Sequence, residues 1–419
     1  MLSRRTFHGL LGTGLLGALA PRLLRAAPAA NDRKFLFIFV NGGWDPTWVF
    51  APMFGRSSID MDPAATTATV GGIPIVDAGS RPSVRRYFES YGSRSAVING
   101  MEVRAVAHER CRRLLFTGKS QDIADDWPAI LAGESAGYAL PCVVLSGPSY
   151  TTQYTSAVVR VGESGQLSGL LDGSSLRSAE PPHSVPSTGT DAKIQAFLDQ
   201  RIAEFATEAG RGQPQRYATE LQSSLEQIAL VRATPGLDLS VGVSGIAPVS
   251  ERIRPALNCL EREESRCAVI EHAGQFDVGW DTHSNIFMQG VHFELLFQDL
   301  LAILGELERR SGSGGGSLLE ETTVVVCSEM GRTPRINSNG GKDHWTYTSA
   351  LLIGAGVRSG VVGGYDDNLI GQTIALDSGE PSEGGTGISS ENLGATLLAM
   401  ADLDPALGTG AEPIGALLA

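Results

Sequence analysis

The 419-residue chain has no C-x-x-C pair, and its five cysteines (Cys111, Cys142, Cys259, Cys267, Cys327) are scattered. This spacing excludes a zinc ribbon and a disulfide scaffold. Cys259 and Cys267 are the pair to consider in an oxidising compartment; the other three read as small buried apolar residues. Basic residues are in deficit, 33 Lys and Arg against 46 Asp and Glu, for a formal charge of −13. Such a chain is a poor partner for nucleic acid or an anionic membrane surface. No stretch reaches about 18 consecutive apolar residues, which argues against a membrane span in the mature protein. There is no solenoid repeat, and no basic groove, aromatic sugar platform or lipid-binding stretch stands out, so a substrate is not named.

The N-terminus is more informative. Arg4 and Arg5 precede an apolar run from Gly9 to Ala20, and "APA" follows at Ala27 to Ala29. The pattern predicts a twin-arginine export signal over residues 1–29, hence a periplasmic or extracellular protein. Its removal deletes Arg4, Arg5, Arg22 and Arg25 and no acids, leaving the mature chain still more acidic. Export of folded cargo suits a protein that acquires a cofactor before it crosses.

Beyond the signal, short apolar runs rich in β-branched residues predict strands at Lys34–Val40, Ser95–Asn99, Cys142–Ser146, Thr322–Ser328 and Ala350–Gly356. Helical patterns separate them, and the longest, Ile286–Arg310, repeats Leu and Phe at three- and four-residue steps. Alternation of this kind predicts an α/β fold with a largely parallel central sheet flanked by helices. Residues 30–419 are read as that domain. Within them about 149–248, rich in Gly, Ser and Pro before two amphipathic patterns, is read as a helical and loop insertion or lid.

In an open parallel sheet, functional groups collect beyond the carboxyl ends of the strands. Asp45 follows the first strand in "NGGWD", Glu329 follows the strand ending at Ser328, Asp281 and His283 lie in "GWDTH", and Asp343 and His344 end "NGGKDH". Carboxylates with imidazoles suit a divalent cation, which relieves their mutual repulsion. Each has a plainer reading: Asp281 as a helix cap, His344 as a hydrogen-bonded loop histidine, and Glu329 as a salt-bridge partner of Arg332 or Arg335. His108 is either a site residue or a structural histidine at a helix start. Gly42, Gly43, Gly340 and Gly341 permit tight turns in two of these loops.

At "FIFVNGGWD", "GWDTH" and "VVVCSEMGRTPRINSNGGKDHW" the chain resembles the twin-arginine-exported family called domain of unknown function 1501, of the alkaline phosphatase and sulfatase superfamily. The resemblance implies an alkaline-phosphatase-like core with metal ligands at strand ends: Asp45, Asp281, His283, Glu329, Asp343 and His344. It also implies one or two divalent ions (zinc, manganese, calcium or magnesium), with His108 and Arg332 as catalytic residues, Arg332 meeting the anionic transition state. The sequence departs from the superfamily in three places. Asp281 and His283 are spaced Asp-x-His, Met330 stands where a histidine would follow Glu329, and Ala107 precedes His108 where a nucleophile is sought, with Cys111 and Thr117 nearby. The function implied is a metal-dependent hydrolase of phosphate or sulfate esters, on a small-molecule or glycan substrate. The alternatives are a non-catalytic envelope binding or assembly protein that keeps the fold, and a mutase or transferase.

Overall fold

The computed structural model describes residues 33–121, 123–135, 137–161, 177, 187–208, 213–233, 248–275 and 279–419. The predicted signal peptide lies outside the described residues.

Eight strands form the central sheet: β1 (Lys34–Val40), β2 (Ser95–Glu102), β3 (Cys142–Val144), β4 (Val158–Arg160), β5 (Cys267–His272), β6 (Thr322–Ser328), β7 (Tyr347–Gly354) and β8 (Gly360–Gly363). Their order across the sheet is β8-β2-β7-β6-β1-β5-β3-β4. All neighbours run parallel except that β7 is antiparallel to both β2 and β6. The α/β class with a largely parallel sheet is therefore as expected. The predicted strands at Lys34–Val40 and Thr322–Ser328 have the expected bounds, whereas β4, β5 and β8 had not been predicted.

Two helical layers cover the sheet, and β1 shows why its sequence has no polar face. Leu36, Ile38 and Val40 pack with α1 (Pro82–Tyr91), α6 (Arg254–Glu261) and α7 (Met288–Arg309). Phe35, Phe37 and Phe39 point the other way, into α2 (His108–Thr117), α3 (Trp127–Gly133) and α8 (Ser390–Met400). A strand buried on both faces reads as a continuous apolar run, because successive side chains alternate between two cores.

The same alternation separates two cysteines. Cys259 packs in the first core and Cys267 in the second, so the sheet stands between them and they do not pair; all five cysteines are free and buried. Within the segment read as an insertion, α4 (Thr188–Glu208) and α5 (Gln213–Ala233) pack side by side. The Glu220 carboxylate of α5 accepts the Ser156 N–H at 3.2 Å, beside the edge strand β4. Among the described residues no helix is long and apolar enough to cross a membrane.

Candidate metal centre

The loops that follow β1, β5 and β6, the start of α2 beyond β2, and the segment entering β7 meet at one edge of the sheet. For the four parallel strands this is the carboxyl edge, where a ligand site belongs. The reversed direction of β7 brings its N-terminal end, and so His344, to the same edge. His344 and Trp345 also pair with Arg332 and Gly331 in a two-residue antiparallel ladder.

Two glycines let these loops touch. Gly42 has φ +126°, and a Cβ there would lie 2.8 Å from the Asp281 nitrogen. A Cβ on Gly341 would lie 2.1 Å from the His283 carbonyl carbon. Both glycines therefore serve backbone-to-backbone contact between site loops. Gly42→Ala is expected to cost about 2 kcal/mol of stability from a strained φ and a displaced 280s loop, measurable by urea unfolding.

Asp281 stands at the centre of the cluster. Its Oδ1 lies 3.1 Å from His283 Nε2 and 3.2 Å from His344 Nε2, which are 2.9 Å apart, and its Oδ2 lies 3.4 Å from His108 Nε2. His108, Asp281 and His344 form the group of potential metal donors found among the described residues; His283 adjoins it through His344 and Asp281.

The opposite ring nitrogens are all engaged. His108 Nδ1 donates to Glu329 Oε1 at 3.0 Å, His283 Nδ1 to Asp343 Oδ1 at 3.0 Å, and His344 Nδ1 to the Val106 carbonyl at 2.6 Å. These acceptors place the ring proton on Nδ1 of each neutral imidazole, so the hydrogen-bond network assigns a bare lone pair to each Nε2. Three lone pairs then face a carboxylate, an arrangement that a divalent cation, or a proton on one of the rings, would relieve.

The donor set fits a divalent ion. Ligands at about 2.0–2.2 Å from a tetrahedral ion are separated by about 3.3–3.6 Å, and Asp281 Oδ1, His283 Nε2 and His344 Nε2 lie 2.9, 3.1 and 3.2 Å from one another. Carboxylates or carbonyls behind ligating histidines are the usual outer support of such sites.

Burial raises the Asp281 pKa, but hydrogen bonds from His108, His344 and Arg332 outweigh it and hold the carboxyl well below its ordinary range. Contacts with Asp281 and Glu329 raise His108 to about 9. Metal-free protein should thus draw stability from charged His108 that is fully present below about pH 6.5 and lost as pH rises through about 9. After discounting for solvent screening this is on the order of 1 kcal/mol. Urea unfolding in chelator across that window should show it, and His108→Gln should flatten the profile.

The remaining candidates sit differently. Glu329 is fully buried; its Oε1 also accepts the Gly42 N–H at 2.8 Å and its Oε2 the Ser328 O–H at 3.3 Å, so its partners are His108, a backbone amide and a hydroxyl, with neither Arg332 nor Arg335 among them. Asp343 is an exposed support behind His283, and that bond, with one from Asn337, lowers its pKa. Asp281 does not cap α7, whose N-cap is Phe287 with no side-chain cap.

Asp45, expected as a ligand, is fully buried elsewhere. Its Oδ1 accepts Thr47 N–H at 3.0 Å and Thr47 O–H at 2.7 Å, and its Oδ2 is 2.8 Å from Lys342 Nζ. An internal ammonium already neutralises it. Arg332, expected to meet a substrate anion, is also fully buried. It donates to the carbonyls of Gly43 (2.9 Å), Lys342 (3.1 Å), Trp280 (3.1 Å) and Gly42, and to Asp281 Oδ1 at 2.7 Å. Fully buried and bonded to five oxygens, it positions Asp281.

Met330 packs with Val103, Cys111 and Leu114 in a small apolar floor under α2. Cys111 is buried there and burial pushes its thiol up to about 12, while the Thr117 hydroxyl is buried and donates to the Arg113 carbonyl at 2.8 Å. Neither is placed as a nucleophile.

Residues 253–406 match the family model described as protein of unknown function, DUF1501. Over these residues the resemblance to that family read from "GWDTH" and "VVVCSEMGRTPRINSNGGKDHW" is borne out. The matched DUF1501 segment contains Asp281, His283, Glu329, Arg332, Asp343 and His344; Asp45 and His108 precede it. No curated protein matches the chain.

Similar solved structures include the soluble domain of lipooligosaccharide phosphoethanolamine transferase A from Neisseria meningitidis, at 10% identity, covering 94% of this chain and 96% of that one, TM-score 0.40. A phosphonate monoester hydrolase from Silicibacter pomeroyi aligns at 12% identity over 88% of this chain and 73% of that one, TM-score 0.35. A third, BT4656, was solved with its substrate D-glucosamine-2-N,6-O-disulfate; it aligns at 10% identity over 91% and 81%, TM-score 0.33.

Proposed function

We propose that the chain is an exported metal-dependent hydrolase of the alkaline phosphatase and sulfatase type, acting on phosphate or sulfate esters of a small molecule or glycan. The observation that carries this reading is the convergence of three Nδ1-anchored histidines on Asp281 at the carboxyl edge of the sheet. Asp281, His283 and His344 would hold one divalent ion, zinc or manganese before calcium or magnesium because two donors are imidazoles. When bound, such an ion supplies Lewis acidity toward an ester oxygen and makes water a stronger acid.

The chain's own residues do the rest. Glu329 holds His108 so that its Nε2 faces the cluster, where it carries a proton to or from the reacting oxygen. Asp343 and the Val106 carbonyl fix the ring planes of His283 and His344, and Arg332 fixes Asp281.

The purified full chain is expected to carry one divalent ion and to hydrolyse nitrophenyl phosphate or sulfate, with activity lost on chelation and restored by zinc or manganese. A protein without stoichiometric metal, whose ester turnover ignores both chelator and added metal, sinks the reading. The burial of Cys111 and Thr117 favours, as the second reading, an envelope binding or assembly protein that keeps the metal for stability. Chelation would then lower the melting temperature in a protein that turns over neither ester. For export, replacing Arg4 and Arg5 with lysine should retain the precursor in the cytoplasm, as fractionation would show.

A further inference from the structure

A cavity of about 390 Å³ that shares no residue with the histidine cluster lies between the helical turn Val249–Arg252, the end of β5 and the first half of α7. Its size falls within the range of small-molecule sites.

The last residue of β5, His272, is 3% exposed and lines it. The His272 Nδ1 accepts Trp280 Nε1–H at 3.2 Å and Gly274 N–H at 3.3 Å, so the neutral ring carries its proton on Nε2. Asp299 Oδ2 is 3.7 Å from that Nε2, beyond hydrogen-bond reach. The Asp299 carboxylate is held instead by Val249 N–H (3.0 Å), Ser250 N–H (3.2 Å) and Ser250 O–H (2.6 Å). The Nε2–H donor of a buried ring thus borders the cavity with no acceptor within hydrogen-bond reach among the described residues. Burial lowers the His272 pKa to about 4, so the ring is neutral near pH 7.

We propose that this cavity binds a neutral polyhydroxylated molecule, a monosaccharide or disaccharide. A hydroxyl in front of His272 accepts from Nε2–H and donates to Asp299 Oδ2, satisfying both at once. An anion there would lie against the Asp299 carboxylate, and a cation would offer nothing to the Nε2 donor while lying near Arg252. The Gln275 amide presents a donor and an acceptor, the pairing that hydroxyls require; Gln298 Nε2 already donates to Glu294 Oε1 at 2.7 Å, so Gln298 offers its carbonyl and its second N–H, and Leu295 supplies apolar wall for ring C–H groups. This inference is independent of the ester reading, since it uses none of the residues assigned to that site.

Saturation-transfer NMR on the full chain with D-glucose, N-acetyl-D-glucosamine and maltose, and with acetate as the anionic control, tests it. At least one sugar should bind with a dissociation constant of about 10 mM or tighter. His272→Phe should weaken it by about tenfold and Gln298→Ala by about threefold. Gln298 is exposed on α7, so its replacement keeps the test valid should His272→Phe fail to fold. Absence of any sugar signal, sugar binding unchanged in the folded variants, or binding of acetate alone overturns the proposal.

Discussion

Arg332→Met is expected to lower the unfolding free energy by about 3–5 kcal/mol, because it strips a buried charge from a carboxylate and four carbonyls at once. The guanidinium links three loops: Gly42 and Gly43 after β1, Trp280 and Asp281 after β5, and Lys342 before β7. Methionine keeps most of the volume and none of the donors, leaving those oxygens facing apolar surface. Arg332→Lys should recover little, since one ammonium has three donors and no planar fork with which to reach five acceptors. Urea unfolding gives the number. A loss under about 1 kcal/mol would mean that the loops are held by other contacts. In this chain Arg332 is a positioning residue, so the methionine variant should also bind metal about 10–100-fold more weakly through a disoriented Asp281.

The second large effect concerns the cluster. His344→Ala and His283→Ala are each expected to weaken divalent-metal affinity by more than about 100-fold and to take ester turnover with it. Asp343→Asn, which alters only the support behind His283, should cost about 10–100-fold. Competition titration against a chromogenic chelator reads both. Lys342→Met is the control: its ammonium serves Asp45 and touches no histidine of the cluster, so metal affinity should hold while stability falls. If His344→Ala keeps its affinity within about threefold, the histidines are structural and the centre lies elsewhere.

Much of the fold was legible because local patterns encode it. β1 and β6 are apolar throughout, as strands covered on both faces must be, and the heptad-like spacing of α7 shows in its leucines and phenylalanines. The three-residue β4 and the four-residue β8, which were not predicted, are the two edge strands of the sheet, where short runs carry little signal. Among site residues, the motifs singled out Asp281, His283, Glu329 and His344, and His108 by its place at a helix start. They also drew in Asp45 and Arg332, whose charges are consumed inside the protein by Lys342 and Asp281.

The sequence by itself determined the α/β class, the strand-end loops and which residues carry donor atoms, because these follow from periodicity and side-chain chemistry. Only the tertiary structure decided which donors share a site. The reversed β7 delivers His344 to the carboxyl edge, Gly42 and Gly341 let backbones close to contact, and separate acceptors turn three rings so that their Nε2 atoms face Asp281. Convergence is a property of strand direction and loop approach over more than two hundred residues of chain, and no local pattern of apolar and polar positions contains it.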